Sequence, residues 1–167
     1  MRHAGRRGAI AYSEILRIDW MIDTVTCRDQ VLAILVRANY RSSGIEFFTP
    51  DNFSQQLAYM NRATGYVIPP HVHNAQRREV HLTNEVLFIK SGRVRIDLYD
   101  SEKVYIESRV LEAGDVILLV AGGHGFEMLE DTEMIEVKQG PYTGDSDKTR
   151  FEPVGPAQIV VRGPRDG

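Results

Sequence analysis

Short apolar or alternating runs, each closed by turn-forming residues, recur along most of this chain and leave room for little but β-structure. Residues 93–99 show the pattern best. Successive side chains of a strand point to opposite sides, so Val94, Ile96 and Leu98 fall on one face and Arg93, Arg95, Asp97 and Tyr99 on the other, which predicts one wet face. Further runs at 31–38, 44–48, 56–62, 65–68, 85–90, 104–111, 115–120, 124–129 and 132–138 extend the series. Turn residues separate them: Ser91-Gly92, Asp100 through Lys103, Glu112-Ala113-Gly114 and Glu130-Asp131. Strands this short at this spacing predict an all-β sandwich or barrel.

The 167 residues, 43% of them apolar and 26% charged, suit one domain with a real core. The expected organisation is a flexible N-terminal extension over 1–13, one domain over 14–160 and a flexible tail over 161–167. Residues 140–148 read as a surface loop, and Ile159-Val160-Val161 as a last strand or docking segment. A net charge of -3 leaves no electrostatic footprint for nucleic acid. No apolar run approaches the roughly 18 to 20 residues of a membrane span, so no membrane partner is expected. Cys27 is the single cysteine, which excludes an internal disulfide and favours a reducing, cytoplasmic setting.

Within this β pattern stands His71-Val72-His73. In an extended chain positions two apart share a face, so both imidazoles would present to one metal ion. Gly65 precedes His71 with five residues between, and Glu85 precedes Gly92 with six residues between. Gly114, an apolar run, Gly122-Gly123 and His124 follow.

Together these residues resemble the two motifs of the cupin superfamily, G-x5-H-x-H-x(3,4)-E-x6-G and G-x5-P-x-G-x2-H-x3-N, over residues 65–128, about two fifths of the chain. The resemblance implies a cupin-type jelly-roll β-barrel, the double-stranded β-helix, with His71, His73, Glu85 and His124 as metal ligands. It departs from the family in four places. Eleven residues, Asn74 to Asn84, separate His73 from Glu85, and within them Glu79 and His81 compete for the ligand role. Val120 stands in place of the motif proline, and His124 comes one residue early, a shift that Gly122-Gly123 can absorb. Met128 replaces the motif asparagine.

Three imidazoles and a carboxylate suit a divalent transition metal such as Mn, Fe, Co, Ni or Zn, with positions left open for water or substrate. Two function classes follow. One is a metal-dependent enzyme acting on a small polar molecule, sugar-like or bearing a carboxylate or phosphate, of the isomerase or oxygenase type. The other is a non-catalytic cupin that binds a metabolite or metal as a sensor or accessory protein. Tyr59, Phe126 and Met128 are candidate pocket residues, and Arg77 and Arg78 a candidate anion clamp in the long insertion. Tyr59, Glu127 and Lys138 are the acid–base candidates, although alternation turns Glu127 away from His124. The resemblance also implies a homodimer, and Ile18, Trp20, Met21 and Ile22 beside charged Arg17, Asp19 and Asp23 read as a surface-to-interface segment.

Overall fold

The computed structural model describes residues 21–163. They form ten strands: β1 Ile22–Cys27, β2 Gln30–Val36, β3 Gly44–Phe47, β4 Ala58–Asn61, β5 Glu85–Ser91, β6 Arg93–Tyr99, β7 Tyr105–Glu112, β8 Val116–Leu119, β9 Gly123–Met128 and β10 Glu133–Lys138. The only helical turns among the described residues are 3-10 turns at Gly144–Asp147 and Pro156–Gln158. The all-β expectation holds. No helix among the described residues is long and apolar enough to cross a membrane.

The strands lie in three antiparallel sheets. A five-stranded sheet runs β1-β2-β8-β5-β10, a three-stranded sheet runs β7-β6-β9, and β3 and β4 pair as a separate ribbon. Alternation decides what each face buries. Leu32, Leu35, Leu87, Ile89, Ile117 and Leu119 of the larger sheet meet Val94, Ile96, Leu98 and Leu111 of the smaller one in a single buried cluster. The outer face of the larger sheet presents Ile34, Val86 and Leu118, which are covered by Phe48, Phe53 and Leu57 beside the β3–β4 ribbon. The described strands do not close into a barrel: the chain forms two facing sheets of unequal width.

Several strand expectations need correction. Residues 65–68 and 71–73 form no strand; 62–83 instead make an arm exposed at every residue. Tyr66 to Ile68 is a plain apolar run and only 71–73 alternates; Pro69-Pro70 between them has no N–H for a ladder, and no described strand pairs with either stretch. β1 went unrecognised. Ile18 and Trp20 of the expected interface segment lie outside the described residues, whereas Ile22 packs against the outer cluster of Ile34, Val86 and Leu118. The expected wet face of β6 is wet at Arg93 only. Asp97 and Tyr99 are buried, because the C-terminal segment lies over them: Phe151 packs edge-on to the Tyr99 ring and the Val154 amide donates to the Tyr99 hydroxyl. That segment also docks on β7, where the Ser108 amide donates to the Val160 carbonyl and the Arg162 amide to that of Ser108.

Two charged groups lie deep in this framework. Arg109 of β7 sits opposite Ile96 and therefore faces inward, with its side chain fully buried. Its Nε donates to Asp23 of β1 at 2.9 Å, tying the edge of one sheet to the edge of the other. Nη2 stands 2.7 Å from Glu107, at ion-pair distance but off the line of a hydrogen bond. On the other face of β6, Asp97 accepts from Arg95 at 2.8 and 3.0 Å and from the Ser108 hydroxyl. Burial pushes the Asp97 carboxyl up, but the hydrogen bonds from Arg95 and Ser108 outweigh it and hold the group below the ordinary carboxylate range.

We predict that Arg109→Ala, which removes the buried cation shared by Asp23 and Glu107, lowers the free energy of unfolding by about 3–5 kcal/mol in urea denaturation. We also predict an acid limb that depends on Asp97. Its folded pKa lies below the unfolded value of about 3.9, so its contribution is complete above that pH and is lost as pH falls through the folded value. In Asp97→Asn, the stability measured across that range should fall less steeply than in the parent.

Candidate functional site

At one end of the two-sheet stack, Glu85 Oε2 and His124 Nε2 stand 3.0 Å apart. Each side chain reaches this point by register. Glu85 opens β5, paired with Leu119 and Lys138, and shares the inner face with Leu87 and Ile89. His124 lies in β9 opposite Leu98, on the face that looks into the core. The contact therefore joins the larger sheet to the smaller one, as Arg109 and Asp23 do between β7 and β1.

Local structure fixes both residues. Asn84, immediately before Glu85, is buried; its amide nitrogen Nδ2 donates to the Val120 carbonyl, its backbone N–H donates to Gln139, and Ser54 donates to its Oδ1. His124 follows Gly122, which has φ +73 and packs so closely that a Cβ there would run into the Tyr99 carbonyl oxygen. Only glycine allows this turn into β9.

The electrostatics of the pair favour a charged carboxylate. The hydrogen bond with His124 has the largest effect on Glu85 and lowers its pKa, against burial, with Lys138 and Lys148 adding in the same direction. Lys138 is held in turn by Asp147 at 3.2 Å. The pair borders a cavity of about 680 Å³ whose wall also includes His81, Lys103, Lys148, Arg150 and Phe151. Part of that wall, Asp147 through Phe151 and Pro153, comes from the segment after β10, which begins in the stretch expected to be a surface loop.

The four residues expected as ligands thus fall into two pairs. Glu85 and His124 meet on the body of the protein. His71 and His73 lie on the exposed arm, their rings edge to face with centroids 5.3 Å apart. Among the described residues, no group of three or more His, Cys, Asp or Glu side chains stands close enough to hold a metal ion. Of the two competitors, His81 reaches the cavity wall, and Glu79 pairs with it at 3.6 Å.

The other candidates scatter. Phe126 and Met128 follow His124 along the inner face of β9 and are 37% and 50% exposed, so they form an open apolar strip beside the pair. Tyr59 packs edge-on to Tyr40 on the β3–β4 ribbon and does not line the cavity. Arg77 and Arg78 are exposed on the arm, with Arg77 3.6 Å from Glu79. The cations that do border the cavity, Lys103, Lys148 and Arg150, carry no signal in the sequence beyond a polar, turn-rich composition that solvated loops share.

Imidazole and carboxylate are donor types that a transition metal accepts, and at 3.0 Å the two groups stand within hydrogen-bond distance of one another. Comparison with protein-family models, with curated proteins and with solved structures gives no match.

The turn at Gly122 generates a prediction. Gly122→Ala should destabilise the protein by more than about 1 kcal/mol, since alanine meets both an unfavourable φ and a carbonyl oxygen. Gly125→Ala, where a Cβ has open space around it, should change thermal stability far less. Equal melting shifts in the two variants would contradict this account of the turn.

Proposed function

We propose that this chain is a cupin-type jelly-roll protein whose Glu85–His124 pair forms the body half of a divalent transition-metal site, and that it acts on a small anionic molecule held in the adjoining cavity. The single observation that carries the reading is that pair: a buried, charged carboxylate facing an imidazole across 3.0 Å at the mouth of a cavity rimmed by lysines and an arginine. His71 and His73 are the expected remaining ligands, on the strength of the motif resemblance, in reach of the site once the arm folds against a body. Mn, Fe, Co, Ni and Zn all accept such a set.

When bound, the ion would polarise a substrate oxygen, acidify a bound water or, if redox-active, engage dioxygen, which corresponds to the isomerase and oxygenase types. The chain's own residues do the rest. Lys148 and Arg150 offer charge-assisted hydrogen bonds to a carboxylate or phosphate on the substrate. Phe126 and Met128 offer an apolar wall beside the ion, where water is excluded once substrate is seated. A reducing compartment such as the cytoplasm fits the free thiol of Cys27.

One observation favours the second reading, a non-catalytic metabolite or metal binder. Of the three acid–base candidates, Tyr59 lies on the β3–β4 ribbon and Glu127 is paired with Arg95 at 2.6 Å, which leaves Lys138 alone beside the pair.

Elemental analysis of protein purified without a histidine tag tests the site. We predict a stoichiometric transition metal that is lost in Glu85→Gln and in His124→Ala while circular dichroism is unchanged. In Lys148→Ala/Arg150→Ala, metal content should persist while affinity for a phosphate or carboxylate ligand falls about tenfold, or about 1.4 kcal/mol. Metal-free parent protein that also fails to take up any of these ions on titration would overturn the metal reading.

A further inference from the structure

The arm between β4 and β5 carries a second inference. All of its residues are exposed, and six are large and apolar: Tyr66, Val67, Ile68, Val72, Val80 and Leu82, with Val67 and Val72 at 74% and 85%. Among the described residues, every hydrogen bond, ion pair and ring contact made by 63–80 stays within the arm or its immediate ends. The Tyr66 amide donates to Ala63, Arg62 lies over the Tyr66 ring, His71 bonds the Pro69 carbonyl, His71 meets His73, and Glu79 pairs with Arg77 and His81. Both ends are anchored: Asn61 donates to the Ser42 carbonyl, and Asn84 is fastened to Val120, Gln139 and Ser54. Among the described residues, an arm rich in exposed apolar side chains thus makes no hydrogen bond, ion pair or ring contact with the body beyond its ends.

The body has a matching gap. The β7 edge of the smaller sheet is occupied by the C-terminal segment through Ser108. The β9 edge is free among the described residues. The inner face of β9 leaves Phe126 and Met128 half-uncovered, although Ile96 and Val94, their register partners, are fully buried. Among the described residues no strand lies along this side of the stack, next to His124.

We propose that the arm is exchanged: residues 63–80 of one copy lie along the β9 edge of a second copy, and reciprocally, so that each metal site joins His71 and His73 of one chain to Glu85 and His124 of the other. Exposed strand edges accept added strands by backbone pairing, and two-fold symmetry makes the exchange mutual. Val67 and Val72 then gain cover that a lone copy does not provide, and Phe126 and Met128 lose their exposure. The site composition rests on the metal reading above; the exchange of the arm does not.

The test uses the full chain. Light scattering should show a dimer, and Val67→Asp/Val72→Asp should convert it to a monomer with unchanged circular dichroism, because both residues are exposed in the single copy. A second experiment co-refolds His71→Ala/His73→Ala chains with Glu85→Gln/His124→Ala chains. Neither retains metal alone; the mixture should regain about a quarter of the parent's content, since half the dimers are mixed and each mixed dimer has one intact site. A monomeric parent, or a dimer unaffected by the two aspartates, overturns the exchange. So does a metal-binding parent whose mixture regains nothing, which would mean that each arm serves its own body. A dimer that the aspartates dissociate, but that holds no metal, upholds the exchange and removes the metal reading instead.

Discussion

A five-stranded sheet facing a three-stranded one cannot have its inner face covered along its full width, and much of this structure follows from that mismatch. Where the sheets overlap, Leu32, Leu87 and Ile117 meet Val94, Ile96 and Leu98 with almost no accessible surface. At the β1–β7 side a buried ion pair, Arg109 to Asp23, bridges the sheets beside the apolar contacts of Val25 and Leu111. Such a pair adds little net stability over well-packed apolar groups, but it tolerates no loss of one partner. At the other side, beyond β9 and β10, Phe126 and Met128 stay open to solvent. The stack is closed along one side and open along the other.

The candidate site belongs to the open side, and its chemistry depends on that position. Glu85 is buried enough for its hydrogen bond to His124 to dominate its ionisation, yet His124 keeps part of its ring accessible. A fully enclosed carboxylate–imidazole pair would be inert. Here one side of the pair faces the cavity lined by Lys148 and Arg150, so an ion or an anionic ligand can approach from solvent. The fixed parts are those that define the distance: Asn84 sets where β5 starts, and Gly122 sets where β9 starts.

Much of this was legible in the sequence, for a reason that also explains the failures. Runs such as 93–99 and 115–120 alternate or stay apolar because both of their faces are already committed within the chain, and the strands appear close to the expected places. The same alternation put Phe126 and Met128 on the face of His124 and turned Glu127 away from it, as the register of β9 with β6 has them. β1 was missed because Asp23 interrupts its apolar face, and only the fold shows that this carboxylate faces a buried guanidinium 86 positions away. The wall formed by 147–151 had no pattern to read, since cations on a turn-rich segment look alike whether they face solvent or a cavity.

The arm is the instructive case, because its pattern was read correctly and its structure was not a strand. Alternation records which faces a segment can present; it does not supply the neighbour whose N–H and C=O groups complete the ladder. For residues 65–73 no such neighbour exists within the described chain, and the two histidines that share a face in an extended conformation meet edge to face in solvent instead. The same holds in reverse for β9, which has its ladder with β6 on one side and nothing on the other. Two unsatisfied edges, one carrying His71 and His73 and the other His124, are complementary in backbone, in apolar surface and in ligand type. In the proposed exchange, a contact outside the single copy covers apolar side chains of the arm that nothing covers among the described residues.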